Sequence, residues 1–359
     1  MPSRRRKESS AMRWNNMFIA ATGFCLPGIE STATAVAEGR YDPDECRQNG
    51  LEAVGVSHEL SAAEMGVEAA RVAFSRSPVD PRDLAVVLHA SFYHQGHDHW
   101  TPASYIQRES IGGRAPAIEV KQASNGSLAA LVLAMSFLSV HEGATTALIT
   151  TADRFCLPGY DRYRSDKWII GGDNATAAVI SCREGFARVL STAMDADPTL
   201  EELYRDSSFT DVPFAGGMPI QLRPRKESYM ARVGLRHIVS SAKQGLRNVM
   251  DVALRDARIG IDDVACFVLP NIGHTLLHWE YLAVLDIPES RTTWAWGRRI
   301  GHGAGDQIGG LNHLMESGAL RVGDRVVLAT AGIGFSWSCA VVEILETPRW
   351  EASPVELVH

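Results

Sequence analysis

Two short segments of this 359-residue chain combine catalytic side-chain types with small residues. In the first, KQASNGSLAALVL, Ser124 lies between a short apolar run and a long apolar helical pattern. A hydroxyl at a helix N-terminus gains from the positive end of the helix dipole as negative charge develops. The neighbours Ala123, Gly126 and Ser127 leave room for a substrate carbonyl. Taken alone, a helix cap explains this serine more simply, because no GxSxG elbow is present.

The second segment, IGHGAGDQIGGLNHL, places His302 between two glycines and Asp306 four residues later. A glycine-rich turn can bring an imidazole close to a nucleophile on another segment. Serine is almost wholly protonated at neutral pH and therefore needs such a base. Taken alone, a loop histidine with local hydrogen bonds is the simpler interpretation.

Other polar clusters carry weaker signals. In FVLPNIGHTLLHW, Asn271 and His274 follow a predicted strand, and His278 lies four residues after His274. This spacing favours an ordinary helix face over a zinc site, because no HExxH pattern is present. The three histidines of SFYHQGHDHW are irregularly spaced, so we interpret them as exposed or entrance residues.

A glycine-rich turn, TAGIGFSWS, follows a predicted buried strand near the end of the chain. Backbone N–H groups there are suited to one side of an oxyanion hole, with the N–H of Ser124 as the other side. A phosphate-binding loop is the alternative, but the GK[ST] signature is missing.

The elements that must position these residues alternate along the chain. We predict strands at 17–27, 84–90, 117–120, 147–151, 264–269 and 326–330. We predict helices at 60–74, 102–110, 128–139, 229–256, 276–285 and 307–316. Hydrophobic strands separated by helices indicate an α/β fold with parallel strands covered on both faces. The similar strand ends ALITTADRF and VVLATAGIG indicate an internal duplication.

Composition limits the classes of function. With 45% hydrophobic and 21% charged residues, the chain is typical of a soluble globular protein. A net charge of -7 argues against nucleic acid or an acidic membrane as partner. The six cysteines form no CxxC pair and fit buried thiols in a reducing cytoplasm. We find no apolar run of the about 18 residues that a membrane span needs. The basic N-terminus lacks the apolar region of a signal peptide, so residues 1–16 are predicted to be a disordered leader.

Together these motifs resemble ketoacyl synthase III of the thiolase superfamily over nearly the whole chain. ATGFCLP is similar to that family's opening strand, and GGDNATAAVI is similar to its FGDGAGAVVL. VKQASNGS stands at the nucleophile segment, usually AACAG, and LPNIGH stands where PHQAN is usual. GHGAGDQIGG stands where GNTSAAS is usual, and GIGFSWSCAVVE resembles the GGGLTWGAALV ending. Their order and spacing agree, so the set is far more specific than any single motif.

The resemblance implies the thiolase fold, in which duplicated βαβαβαββ halves form a five-layer αβαβα sandwich. We therefore divide the chain after its leader into an N-terminal half with the nucleophile, 17–183, and a C-terminal half with the base and oxyanion loop, 229–359. Residues 184–228 are predicted to be a linker with surface excursions. The resemblance also implies a homodimer with a continuous sheet across its interface. No metal, flavin or nicotinamide cofactor is expected, since GxGxxG does not follow the first strand.

The departures from the family pattern point to a changed site. By position, Ser124 replaces the family's catalytic cysteine, Asn271 its histidine and His302 its asparagine. Imidazole and amide have thus exchanged loops, and a chain that had simply lost catalysis would not be expected to regain a histidine at the partner position. We therefore predict a working Ser124–His302 pair, with either Asp306 or Asn271 orienting the imidazole.

The same correspondence assigns the surrounding site. The oxyanion hole is predicted from the backbone of Ser124 and of Ile333, with Gly332 and Gly334 shaping the turn. The substrate pocket or its entrance is predicted to include three further residues, namely Asn125, His274 and Trp100.

The predicted activity is acyl transfer from an acyl carrier protein or coenzyme A thioester, through an acyl-serine, to a hydroxyl or amine. A branch of the family passes acyl groups, some of them aromatic polyketides, onto sugars or cyclitols in antibiotic pathways, and the pattern favours that branch. One alternative is a starter-unit condensing enzyme of a polyketide pathway. A non-catalytic partner subunit and a hydrolase that edits carrier proteins are the others. We expect a cytoplasmic protein.

Overall fold

The computed structural model describes residues 10–205, 209–210 and 217–351. Its strands are β1 (Ser10–Arg13), β2 (Phe18–Cys25), β3 (Ile29–Ser31), β4 (Ala53–Gly55), β5 (Leu84–Ala90), β6 (Ala117–Val120), β7 (Thr146–Asp153), β8 (Asn174–Ser181), β9 (Ala187–Ala196), β10 (Val264–Val268), β11 (Arg325–Gly332) and β12 (Ser336–Ile344). Its helices are α1 (Thr32–Ala37), α2 (Pro43–Asn49), α3 (Ala62–Ser75), α4 (Pro102–Ser110), α5 (Gly126–Val140), α6 (Arg223–Val233), α7 (Leu235–Ala257), α8 (His274–Leu277), α9 (Ala283–Leu285), α10 (Trp294–Gly297) and α11 (Asp306–Glu316).

Hydrogen bonds join ten of the strands in the order β10-β11-β12-β9-β2-β8-β7-β5-β6, with β1 beside β9. The two halves of this sheet meet between β2 and β9, where the register joins Phe18 to Arg188 and Ile19 to Ala187. The pairs β5–β6, β5–β7 and β10–β11 are parallel, as predicted. The remaining pairs are antiparallel, including those made by β8, β9 and β12. A parallel pair needs a long crossover connection, and only a short turn joins β11 to β12.

The layers place two helices at the centre of the molecule. Helix α5 packs on β5 and β7 of one half and on β11 and β12 of the other, while α11 contacts β2, β8, β10 and β11. Helices α3 and α4 cover the outer face of the first half, and α7 covers β9 and β12 of the second. The predicted α/β thiolase fold, with five alternating layers, is therefore confirmed.

Helix α5 is apolar on every side because it is enclosed by both halves. The stretch Ala123–Val140 has a mean hydropathy of 1.6 over 18 residues, and 72% of it is buried inside the fold. The prediction that no apolar run reaches this length is therefore wrong. The burial of the stretch is that of a core helix.

Two predictions about the chain outside the halves need correction. The leader predicted over 1–16 contains β1, which pairs with β9, and Trp14 Nε1 donates to Thr192 Oγ1 at 2.9 Å. Residues 1–9 lie outside the described residues. The linker predicted over 184–228 contains β9, a strand near the middle of the sheet, whose polar and small residues disguised its burial. Residues 206–208 and 211–216 of that linker also lie outside the described part of the chain.

The long helix predicted over 229–256 is two helices. Helix α6 begins earlier, at Arg223, and Gly234 separates it from α7 with a φ of +91°. Glycine adopts this conformation without the steric cost that other residues meet, so it allows the break.

Candidate active site

Ser124 lies in a 3₁₀ turn, Ala123–Asn125, that leads directly into α5. Ala123 adopts a φ of +46°, which is uncommon for a residue other than glycine and makes the approach to the helix sharp. The Ser124 side chain sits in a nearly closed environment, since the residue is 6% exposed. Its carbonyl oxygen accepts a hydrogen bond from Thr330 Oγ1 at 3.0 Å, which ties the turn to β11.

His302 lies in the loop that precedes α11, and its backbone is fixed on both sides. Its N–H donates to Ile170 O at 2.9 Å, and its carbonyl accepts from Gly172 N at 3.0 Å. Its side chain reaches the turn that carries Ser124, where Nε2 lies 2.7 Å from Ser124 Oγ. The structure thus brings the two predicted catalytic side chains into hydrogen-bonding contact.

Asp306, the first residue of α11, is the third member of a row of hydrogen-bonded side chains that also contains Ser124 and His302. Its Oδ2 lies 2.6 Å from His302 Nδ1, and its Oδ1 accepts from Gly303 N at 3.0 Å. The carboxylate is buried, so it faces the imidazole without water between them. Because a carboxylate accepts the proton on Nδ1, Nε2 is left as the acceptor for the serine hydroxyl.

Asn271 supports this row through its backbone. Its N–H donates to Asp306 Oδ2 at 2.8 Å. Its side-chain Nδ2 is buried and has no hydrogen-bond partner among the described residues. Of the two residues predicted to orient the imidazole, Asp306 is therefore the one that contacts it.

Aromatic packing closes the site on one side of the imidazole. The Phe92 ring meets the His302 ring edge to face, with centroids 5.8 Å apart and planes at 82°. Phe92 in turn packs on Phe155, whose centroid is 5.8 Å away. A low-dielectric wall of this kind strengthens the hydrogen bonds of the row.

A chain of neutral side chains holds the nucleophile turn. Asn125 Nδ2 donates to Ser336 Oγ at 2.9 Å, and Ser336 donates to Gln122 Oε1 at 2.8 Å. Asn125 is fully buried, so it lies in the wall of the site and not at an entrance. Gln122 and Ser336 were not among the predicted site residues, because neither belongs to a catalytic motif.

The turn predicted to form the oxyanion hole lies against the nucleophile segment. A side-chain carbon on Gly332 would lie 2.4 Å from Gln122 O and 2.6 Å from Asn125 Cβ, so only glycine fits there. Gly334 has a φ of +132°, a conformation that favours glycine, and Ile333 lies between the two. The part of these backbone groups in binding an oxyanion stays a prediction.

The two remaining predicted pocket residues lie at the surface. His274 is half-exposed and its Nε2 lies 2.7 Å from Glu289 Oε2. Trp100 is 38% exposed and packs on His97 and Tyr105. Among the residues that the structure describes, no group of three histidine, cysteine or acidic side chains is placed to hold a metal ion.

Sequence reasoning also missed Asp153 and Phe92, both of which act on the His302 loop. The available signal was the position of Asp153 at the carboxyl end of a buried strand, since polar residues that end such strands often belong to sites.

Comparison with known sequences finds relatives that cover most of the chain. Residues 254–344 match the family model of the 3-oxoacyl-[acyl-carrier-protein] synthase III C-terminal region. The β-ketoacyl-[acyl-carrier-protein] synthase III of Rhizorhabdus wittichii is 27% identical over 336 residues, which cover 90% of this chain and 98% of that protein.

Comparison with solved structures extends the likeness to the whole fold. The acyltransferase ChlB3 is 32% identical with a TM-score of 0.88, over 93% of this chain and 99% of that one. The 3-oxoacyl-[acyl-carrier-protein] synthase III of Aquifex aeolicus superposes with a TM-score of 0.73 at 20% identity, over 91% of this chain and 99% of its own. At that identity the second likeness concerns the fold alone.

Proposed function

This chain belongs to the ketoacyl synthase III-like family of the thiolase superfamily, and we propose that it is an acyltransferase that carries its acyl group on Ser124. The observation that supports the proposal most is the continuous row from Ser124 Oγ through His302 to Asp306, with contacts of 2.7 and 2.6 Å. A nucleophile, a base and a group that orients the base, in hydrogen-bonding reach, is the arrangement used for acyl transfer.

In the first half-reaction, Ser124 Oγ attacks the carbonyl carbon of a thioester while His302 Nε2 takes its proton. The positive charge that forms on the imidazole is stabilised by the carboxylate of Asp306. Collapse of the tetrahedral intermediate breaks the carbon–sulfur bond, and His302 returns the proton to the departing thiolate. The backbone N–H groups of Ser124 and Ile333 are the proposed donors to the intermediate's oxyanion.

In the second half-reaction, a hydroxyl or amine of the acceptor attacks the acyl-serine. His302 accepts the acceptor's proton, and the same proton then passes to Ser124 Oγ as the ester bond breaks. An oxyester is a less reactive donor than a thioester, so the base that activates the acceptor matters more here than in a cysteine enzyme. We propose a sugar, cyclitol or other secondary-metabolite acceptor, and we propose an aromatic polyketide acyl group as a candidate for the group transferred.

The proposed donor is an acyl carrier protein or coenzyme A thioester. Several curated relatives act on acyl carrier protein according to their names, which supports the carrier protein as partner. We also propose a cytoplasmic homodimer. Strand β6 ends the sheet and Ile118 on it is 47% exposed, which fits a second copy pairing at this edge.

The test is intact-mass analysis after mixing the protein with a panel of acyl thioesters, in parallel with Ser124→Ala and His302→Ala. We expect a mass gain of one acyl group on the unaltered protein and none on Ser124→Ala. The absence of both adduct and thiol release with every donor would refute the proposal and favour a non-catalytic partner subunit.

A starter-unit condensing enzyme is the second candidate, because the relatives include β-ketoacyl synthases at 27% and 23% identity. Decarboxylative condensation in that family uses a histidine and an asparagine whose positions are exchanged here. Release of carbon dioxide from a malonyl carrier protein, with carbon–carbon bond formation, would select this candidate over transfer to oxygen or nitrogen.

A further inference from the structure

A buried carboxylate outside the catalytic row binds two loops of the site at once. Asp153, the last residue of β7, is 1% exposed. Its Oδ1 accepts from Phe92 N at 2.6 Å and from Tyr93 N at 3.1 Å, and its Oδ2 accepts from Ala304 N at 2.9 Å. Hydrogen bonds to an ionised acceptor are among the strongest in proteins, so these three fix the loops firmly.

Both loops bear directly on His302. Ala304 lies two residues after it, and the Phe92 ring packs against its imidazole. The Ala304 N–H donates to Asp153 Oδ2 at 2.9 Å, so the carboxylate contacts the His302 loop itself. Asp153 therefore bonds both to the backbone of the loop that carries His302 and to the backbone of Phe92, whose ring packs on the imidazole.

We infer that Asp153 is a positioning residue for acyl transfer, one whose carboxylate holds the His302 loop against the Phe92 loop and so keeps Nε2 directed at Ser124. We call the three hydrogen bonds from Phe92 N, Tyr93 N and Ala304 N to Asp153 the clamp. The clamp is a property of the fold, whereas its effect on catalysis rests on the proposed function. Reacting groups misplaced by about 1 Å lose on the order of 10²-fold in rate.

The burial of Asp153 changes the pKa of its carboxyl. Burial raises its pKa from 3.8 to about 6, against the lowering effect of the three N–H donors and of Lys121. Because the folded-state pKa lies above the ordinary value, the contribution of this group to stability falls as the pH rises from about 4 to about 6. At neutral pH ionisation of the buried Asp153 carboxyl thus lowers the stability of the fold relative to the protonated form, and a perturbed pKa of this kind is typical of functional sites.

The pH also provides a way to release the clamp. As the pH falls through about 6, protonation removes the negative charge of Asp153, and the hydrogen bonds from the three N–H groups weaken. Other titratable or charged groups lie on the elements around Asp153. They are the His302–Asp306 pair, the Arg162–Asp173 pair, Lys121 and His89. Burial lowers the pKa of His89 to about 4.

The first test uses a serine-directed fluorophosphonate, which needs no knowledge of the acyl donor. Ser124 Oγ displaces fluoride from phosphorus as His302 takes the proton, and intact mass follows the adduct over time. We expect Asp153→Asn to label about tenfold to 100-fold more slowly than the unaltered protein. In steady-state transfer, kcat should fall while KM changes little.

Asp161→Asn is the matched control, because this carboxylate also accepts two backbone N–H groups, from Tyr163 and Arg164 at 3.1 Å each. It should label at the unaltered rate. Equal labelling rates for Asp153→Asn and the unaltered protein would overturn the inference.

The second test measures hydrogen exchange of the peptides that span 91–95 and 302–306. In the unaltered protein we expect protection of both at pH 7.5 and selective loss of protection at pH 5.5, after correction for the intrinsic rate. Asp153→Asn should show the loss already at pH 7.5. Unchanged protection in both would refute the clamp, and the unaltered protein provides this result even if the variant does not fold. If no thioester forms an adduct, the proposed function fails. The rate of fluorophosphonate labelling and the hydrogen exchange of the two peptides still test whether Asp153 holds the loops.

Discussion

The turns that precede α5 and α11 occupy corresponding positions in the two halves, yet they are built from different chemistry. The α5 turn carries Ser124 and is held by the neutral side chains of Gln122, Asn125, Ser336 and Thr330. The α11 turn is held by the carboxylates of Asp306 and Asp153. The turns touch each other, since Ser127 N donates to Ala304 O at 3.2 Å.

The difference follows the charge that each turn would accept during the proposed reaction. Negative charge develops at the Ser124 turn, so a carboxylate beside it would oppose the reaction. Positive charge develops on the imidazole of the other turn, so a buried carboxylate there stabilises it. One duplicated framework has thus been given two opposite electrostatic environments.

Removing the nucleophile is the most severe way to break this comparison. We expect Ser124→Ala to abolish the acyl adduct and to lower kcat by about 10⁴-fold or more, because the remaining groups have no oxygen to activate. Intact mass and product formation are the measurements. Ser136→Ala, on the same helix, should keep both, since its hydroxyl donates to Val132 O within the helix and makes no contact with Ser124 or His302 among the described residues. An adduct that persists on Ser124→Ala would place the nucleophile elsewhere.

Neutralising the α11 turn is the next largest change. Asp306→Asn should lower kcat on the order of 10³-fold, because an amide cannot stabilise the imidazolium and favours the wrong tautomer. The measurement is the rate of acyl-enzyme formation by rapid quench. Asp324→Asn, which removes a carboxylate that accepts from Arg321 N, should leave this rate unaltered. Full activity of Asp306→Asn would show that the two turns do not differ electrostatically.

A larger residue at Gly332, in the hairpin of β11 and β12, tests the α5 turn and the neutral side chains that hold it. Gly332→Ala forces a methyl to within 2.4 Å of Gln122 O, so the hairpin or the turn must shift. We expect a loss of about 1–3 kcal/mol in the free energy of unfolding and a slower acylation. Chemical denaturation and labelling kinetics measure the two effects. Within the part of the chain that the structure describes, an added carbon on Gly260 meets only Asp263 Oδ2, at 3.5 Å, so Gly260→Ala should show neither effect.

The smallest effect is expected at Asn271, because its backbone and not its Nδ2 serves Asp306. Asn271→Ala should change kcat by less than about threefold, in contrast to a catalytic group. Asn271→Asp should be more harmful, since it sets a second buried carboxylate near Asp306. A large loss in Asn271→Ala would instead indicate that the amide contacts the substrate.

Sequence reasoning found the two turns but not how they are held. Ser124, His302 and Asp306 stand within recognisable glycine-rich or small-residue segments, and strands such as β5 and β11 are continuous apolar runs. The choice between Asp306 and Asn271 depended on which atom faces Nδ1, a tertiary property that residue spacing does not encode. The strand β9 was missed because its small and polar residues become buried only when β9 pairs within the sheet and α7 packs over it.

The enclosure of α5 between the halves has a consequence for biosynthesis. As the chain emerges from the ribosome, this strongly apolar helix is complete long before β11 and β12, which cover one of its sides, have been made. The nascent N-terminal half must therefore wait with an uncovered apolar surface, a state that favours aggregation and calls for chaperones. We expect a chain truncated after the first half to be insoluble. Although the two halves share one topology, the first half then needs the second in order to fold.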